Sequence, residues 1–119
     1  MSLLLGLFLI LSAQVRAQDP VTVAPNIYKK VLLENDNVRV MQFELAPQET
    51  VPWHSHPDHF VYAITDGKLE ITEKGKSPIV TEIKAGEAMY MIATTHMVKN
   101  IGENQIKFIV TDLKTIVTK

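Results

Sequence analysis

Residues 53–67 read WHSHPDHFVYAITDG, and this stretch decides the fold. It is rich in aromatic and β-branched residues, is broken once at Pro57, and closes on Asp66-Gly67, a pair that favours tight turns between strands. Along an extended strand the side-chain period is two. His54 and His56 therefore project to the same face, with Cα atoms roughly 6.5–7 Å apart. Two imidazoles so placed can converge on one ion. His96, on a later strand, can supply a third, leaving the remaining coordination positions open.

Outward from this stretch the chain repeats one pattern. Segments 27–33, 38–45, 69–73, 79–83, 89–92, 96–101 and 106–113 are short apolar or alternating runs. Between them lie Asn35-Asp36-Asn37, Gly75-Lys76-Ser77-Pro78, Lys84-Ala85-Gly86-Glu87 and Gly102-Glu103-Asn104, each built from residues that favour turns. About eight or nine strands at this spacing, with no helical period, predict an all-β protein. Such a chain covers its edges by closing into a barrel or stacking two sheets. An antiparallel jelly-roll barrel follows. Asp66-Gly67 is expected to form a two-residue type I′ hairpin, and Gln18–Pro25, polar with two prolines, a leader or edge segment.

The same residues resemble the two sequence motifs of the cupin superfamily. His54, His56 and Gly67 fit the first motif, and Gly86, His96 and Asn100 the second. Phe60 stands where the family's glutamate ligand falls. Ile92 and Thr94 replace a proline and a glycine of the second motif, which is also one residue short. The resemblance implies a double-stranded β-helix of the RmlC-like type, with a divalent metal ion (Fe, Mn, Zn or Ni) on His54, His56 and His96. Strand parity places Phe60 and Tyr62 on the same face as the histidines, as pocket walls, and Asn100 on the inward face of the His96 strand. His59 has the opposite parity and is expected to face away. It stays a reserve ligand because a bend at Pro57 can shift the register.

Three neutral imidazoles leave a divalent ion its full +2 charge, which favours an anionic small molecule as ligand or substrate. Two functions fit: a metal-dependent oxygenase acting on a small anion, or a non-catalytic module that binds or senses a small ligand or metal. No catalytic residue is assigned. No phosphate loop, nucleophile elbow or dinucleotide fingerprint is present.

The remaining composition narrows the setting. The 119 residues suit one domain, with no cysteine and a formal charge of −1. There is no polybasic stripe, so nucleic acid is not expected as a partner. Leu3–Leu11 is an apolar run broken only by Gly6, followed by Val15-Arg16-Ala17. It is too short to span a membrane, and Val15 and Ala17 fit a signal-peptidase site. The expected organisation is a signal peptide at 1–17 and a cupin domain at 18–119, in a periplasmic or secreted protein. A small core and long apolar strands also predict a homodimer.

Overall fold

A computed structural model describes residues 18–114; the expected signal segment lies outside them. Nine antiparallel strands follow one helical turn. The turn is α1 (Pro20–Val23). The strands are β1 (Tyr28–Glu34), β2 (Val38–Leu45), β3 (Thr50–His56), β4 (His59–Ala63), β5 (Gly67–Glu73), β6 (Ile79–Ile83), β7 (Ala88–Met91), β8 (Thr94–Asn100) and β9 (Ile106–Leu113). Five form one sheet in the order β1-β2-β9-β4-β7, and four form the other in the order β3-β8-β5-β6. The all-β jelly roll expected from the sequence is the observed fold. α1 is new: proline at its first position starts it, and at four residues it is too short to leave a periodic signal.

Alternation along the strands builds the core. Met41, Phe43 and Leu45 of β2 face inward with Ile106, Phe108 and Val110 of β9 and Val61 and Ala63 of β4. The opposing sheet contributes Val51, Leu69, Ile71, Ile83 and Val98. Phe43 and Phe108 stack with centroids 5.6 Å apart, and Tyr28 meets Phe43 edge-on at 5.2 Å.

Two irregularities reset the side-chain parity and decide what faces inward. In β3, Val51 pairs with Val98 but His54 with His96, so the β3 side holds one extra residue at Pro52–Trp53. This bulge lets odd-numbered Val51 and even-numbered His54 and His56 all face the core. The bend at Pro57-Asp58 then flips the parity again, so odd-numbered His59, Val61 and Ala63 are the inward residues of β4.

Asp66-Gly67 does not form the expected I′ hairpin. It carries the chain from β4 in one sheet to β5 in the other, and among the described residues the left-handed ones are Gln48, Gly75 and Gly86. Glycine is required at 67 for space, because a Cβ there would lie 2.9 Å from Cζ of Phe108.

Candidate metal centre

Four histidines, the whole complement of the chain, are buried at one end of the barrel. His54 and His56 come from β3, His96 from the strand paired with it, and His59 from the start of β4. Ring centroids lie 4.6 Å apart for His54–His96, 4.9 Å for His54–His56 and 5.5 Å for His56–His96. One ring nitrogen from each of these three lies within 4.8 Å of the others, a spacing that suits ligands of a single ion.

Hydrogen bonds fix which nitrogen is free. Nδ1 of His54 donates to the carbonyl of Pro52 (2.7 Å), and Nδ1 of His59 to that of Pro57 (2.8 Å). A carbonyl can only accept, so both rings carry their proton on Nδ1 and keep a lone pair on Nε2. Nδ1 of His56 donates to Oδ1 of Asp112 at 2.8 Å, so Nε2 is the nitrogen left for other partners. Metal-binding histidines are oriented in this way, by an acceptor on the nitrogen away from the ion. Nδ1 of His96 has no partner, and among the described residues it is the one buried side-chain polar atom left so.

Charge reinforces the arrangement. Burial, then the neighbouring His56 and His59, lowers the pKa of His54 to about 4 even though the Pro52 carbonyl acts to raise it. Burial and the other three histidines lower His96 to about 2. Burial and His56 also lower His59. These imidazoles are neutral at physiological pH, the form in which imidazole ligates.

Asp112 anchors a part-buried chain of charges. Arg39 Nη2 lies 3.3 Å from Oδ2 of Asp112 and 2.6 Å from Oδ1 of Asp19, beside α1. Burial alone would raise the Asp112 carboxyl, but the hydrogen bond and charge of His56 and the guanidinium of Arg39 outweigh it and hold the pKa below the usual range. His56, His59 and Asp112 could also gather around an ion. Arg39 already neutralises that carboxylate, so His54, His56 and His96 form the better cation site.

The remaining pocket residues read from the sequence fall elsewhere. Phe60 and Tyr62 point outward, 37 % and 46 % exposed, whereas His59 is 1 % exposed and faces in. The bend at Pro57-Asp58 is the physical reason: it exchanges the two faces of β4. His59 stacks on His56 with centroids 4.2 Å apart, and no side chain of residue 60 reaches the site. Asn100 is buried, but its amide is fully engaged at the far end of β8. It donates to the carbonyls of Leu45 (3.1 Å) and Asn104 (2.9 Å) and accepts from the Gly102 amide (2.9 Å). It fastens a turn and does not line the histidine cavity.

Sequence reasoning missed two residues. Asp112 extends the inward series Ile106, Phe108, Val110 by one more step of two, and a carboxylate at a core position was a readable signal. Tyr28 carried no comparable signal; its hydroxyl lies 3.2 Å from Nε2 of His56 and 3.5 Å from Nε2 of His54. The cavity beside these groups measures about 30 Å³ and is lined mainly by apolar side chains, among them Phe43, Leu69, Met89 and Phe108.

The fold and site together define a small β-barrel with an inward histidine cluster able to hold a metal. The cupin-domain family model matches residues 41–112, and the chain belongs to that family. No curated protein sequence matches the chain. Among solved structures, it is similar to a cupin domain from Bordetella pertussis Tohama I, with TM-score 0.66 and 23% identity over 72% of this chain and 91% of that one. A protein from Bacillus halodurans gives a TM-score of 0.60 at 18% identity, over 77% and 74% of the two chains. An RmlC-like cupin with a double-stranded β-helix fold from Methanocaldococcus jannaschii gives 0.58 at 21%, over 71% and 77%. At these identities the likeness concerns the fold.

Proposed function

We propose that this protein is an exported cupin that holds one divalent transition-metal ion on His54, His56 and His96 and presents it to a small anionic ligand or substrate. The observation that supports this most is the state of the imidazole nitrogens. Acceptors outside the cluster hold Nδ1 of His54 and His56, while Nδ1 of His96 is buried with no partner. A buried polar atom without a partner costs about 1–3 kcal/mol, which a metal bond would offset. Histidines that serve only the core are expected to have partners on both nitrogens, and Nδ1 of His96 does not.

A bound iron would supply dioxygen chemistry; a redox-inert ion would supply Lewis acidity. The protein's own contribution is a buried ligand set in a mainly apolar cavity. A cavity of about 30 Å³ has room for one or two water-sized molecules, which restricts what reaches the ion inside the barrel. That size, and the lack of any acid–base group there beyond the histidines and Tyr28, favour a second reading, a non-catalytic module for a metal and a small anion. Export is supported by the apolar run Leu3–Leu11 and by Val15 and Ala17 before Gln18.

Calorimetric titration of chelator-treated protein with Fe(II), Mn(II), Zn(II) and Ni(II) is expected to show one site per chain, followed by binding of azide. Oxygen uptake with small thiols or carboxylates then separates the oxygenase from the binding module. A folded wild-type protein that takes up none of the four ions sinks the proposal.

A further inference from the structure

We propose that Tyr28 is the fourth protein ligand of the metal site, its phenolate oxygen replacing the carboxylate that residue 60 does not supply. The inference rests on the metal-binding reading above and deepens it.

Tyr28 is the inward residue at the start of β1; the rest of that strand is exposed. Its hydroxyl reaches Nε2 of both His54 and His56, the nitrogens that the Pro52 and Asp112 contacts leave over. One O–H can donate to one nitrogen at a time. At 3.2 and 3.5 Å both separations are long for a hydrogen bond from a hydroxyl, whose usual length is about 2.7–2.8 Å. They are, however, the separations of neighbours on one ion. Ligand atoms bonded at about 2.1 Å lie roughly 3.0 Å apart at right angles and roughly 3.4 Å apart at the tetrahedral angle.

The ring is held in place independently of the histidines. It packs edge-on against Phe43, its strand-pair partner, and is buried. Burial and the Asp112 carboxylate hold the Tyr28 phenol far above its usual range, so the phenolate forms only against a bound cation. Three imidazoles leave the site at +2, and a phenolate lowers it to +1 without an ion from outside. On binding, the phenolic O–H bond breaks, an oxygen–metal bond forms and the proton leaves to solvent, with no change of oxidation state. Three histidines and Tyr28 leave two positions of a six-coordinate ion for a small molecule.

The test loads the purified protein with Fe(II) without oxygen, oxidises it to Fe(III) with ferricyanide and desalts it. Iron per chain and the visible spectrum are then measured. Phenolate on Fe(III) gives an intense visible charge-transfer band that imidazole does not. The expected result is one iron per chain with that band. Tyr28→Phe, which keeps the contact with Phe43, should lose the band and bind iron at least roughly tenfold more weakly. The chain has three tyrosines, and Tyr62 and Tyr90 are exposed. The double variant Tyr62→Phe/Tyr90→Phe should therefore keep the band, and it decides the matter even if Tyr28→Phe does not fold. One iron per chain with no band in the wild type, a band that survives Tyr28→Phe, or a band lost in the double variant overturns the assignment of Tyr28. A folded wild type that takes up no iron overturns Tyr28 as an iron ligand, and one that takes up none of Fe(II), Mn(II), Zn(II) and Ni(II) overturns the metal reading with it.

Discussion

Replacing Asp112 tests how the barrel holds its histidines. The carboxylate accepts from Nδ1 of His56 at 2.8 Å and faces Arg39 at 3.3 Å, and its side chain is 5 % exposed. Asp112→Asn preserves the shape, and its amide oxygen can still accept from His56, but the negative charge opposite Arg39 is gone. Asp112→Ala removes both and leaves the guanidinium with Asp19 alone. Breaking a fully buried pair from one side costs about 3–5 kcal/mol. Arg39 is part-buried and keeps Asp19, so the expected loss is the smaller cost of an unmet buried partner, about 1–3 kcal/mol. A domain of this size has about 5–15 kcal/mol in all, so the alanine variant keeps a reduced but measurable margin. The effect on metal is separate. Losing the group that orients a ligand histidine typically weakens binding by about 10–100-fold, or roughly 1.4–2.7 kcal/mol. Urea unfolding of the metal-free protein gives the first quantity, and competition with a chelator of known affinity gives the second. The expected order in both is wild type, then Asp112→Asn, then Asp112→Ala. A folded Asp112→Ala protein with wild-type metal affinity would refute the role of Nε2 of His56 as a ligand.

Other consequences follow from the same geometry. The metal-free protein should lose stability as pH falls from about 6.5 towards 4, because the unfolded chain takes up protons that His54, His59 and His96 refuse. For His54, with its pKa lowered to about 4, the full loss is about 3 kcal/mol, so urea midpoints that match at pH 7.5 and pH 4.5 would contradict the burial argument. Phe60→Glu should leave metal affinity unchanged, since residue 60 faces outward; titration of the variant checks this. Phe60, Tyr62, Tyr90 and Ile92 are all exposed, and sedimentation should find the protein as a dimer that Phe60→Glu weakens. Gly67→Ala should destabilise by about 1–3 kcal/mol in thermal or urea melts, because its Cβ collides with Phe108 in the aromatic stack.

The strands were legible because turn chemistry and alternation agree along the chain. Asn35-Asp36-Asn37 and Gly102-Glu103-Asn104 mark real strand ends, and the inward faces of β2, β5 and β9 follow the period of two. Parity failed where the backbone departs from that period. It survived the bulge at Pro52–Trp53 because His54 and His56 lie on the same side of it. It did not survive the bend at Pro57-Asp58, so His59 and Phe60 exchanged faces. The I′ reading of Asp66-Gly67 assumed that the two flanking strands pair with each other. They lie in different sheets, a long-range fact that no dipeptide encodes. Tyr28 was equally out of reach, because its place beside His54 and His56 depends on how β1 packs across the barrel.

The central claim is that the buried histidines exist to hold one metal ion. The most direct measurement is elemental analysis of protein purified from its native compartment without chelators, beside the variant His54→Ala/His56→Ala. The account predicts about one transition-metal ion per chain in the wild type and almost none in the variant, since two of three ligands are gone. Wild-type protein that is folded and essentially metal-free, or a variant that retains the same metal content, would contradict it.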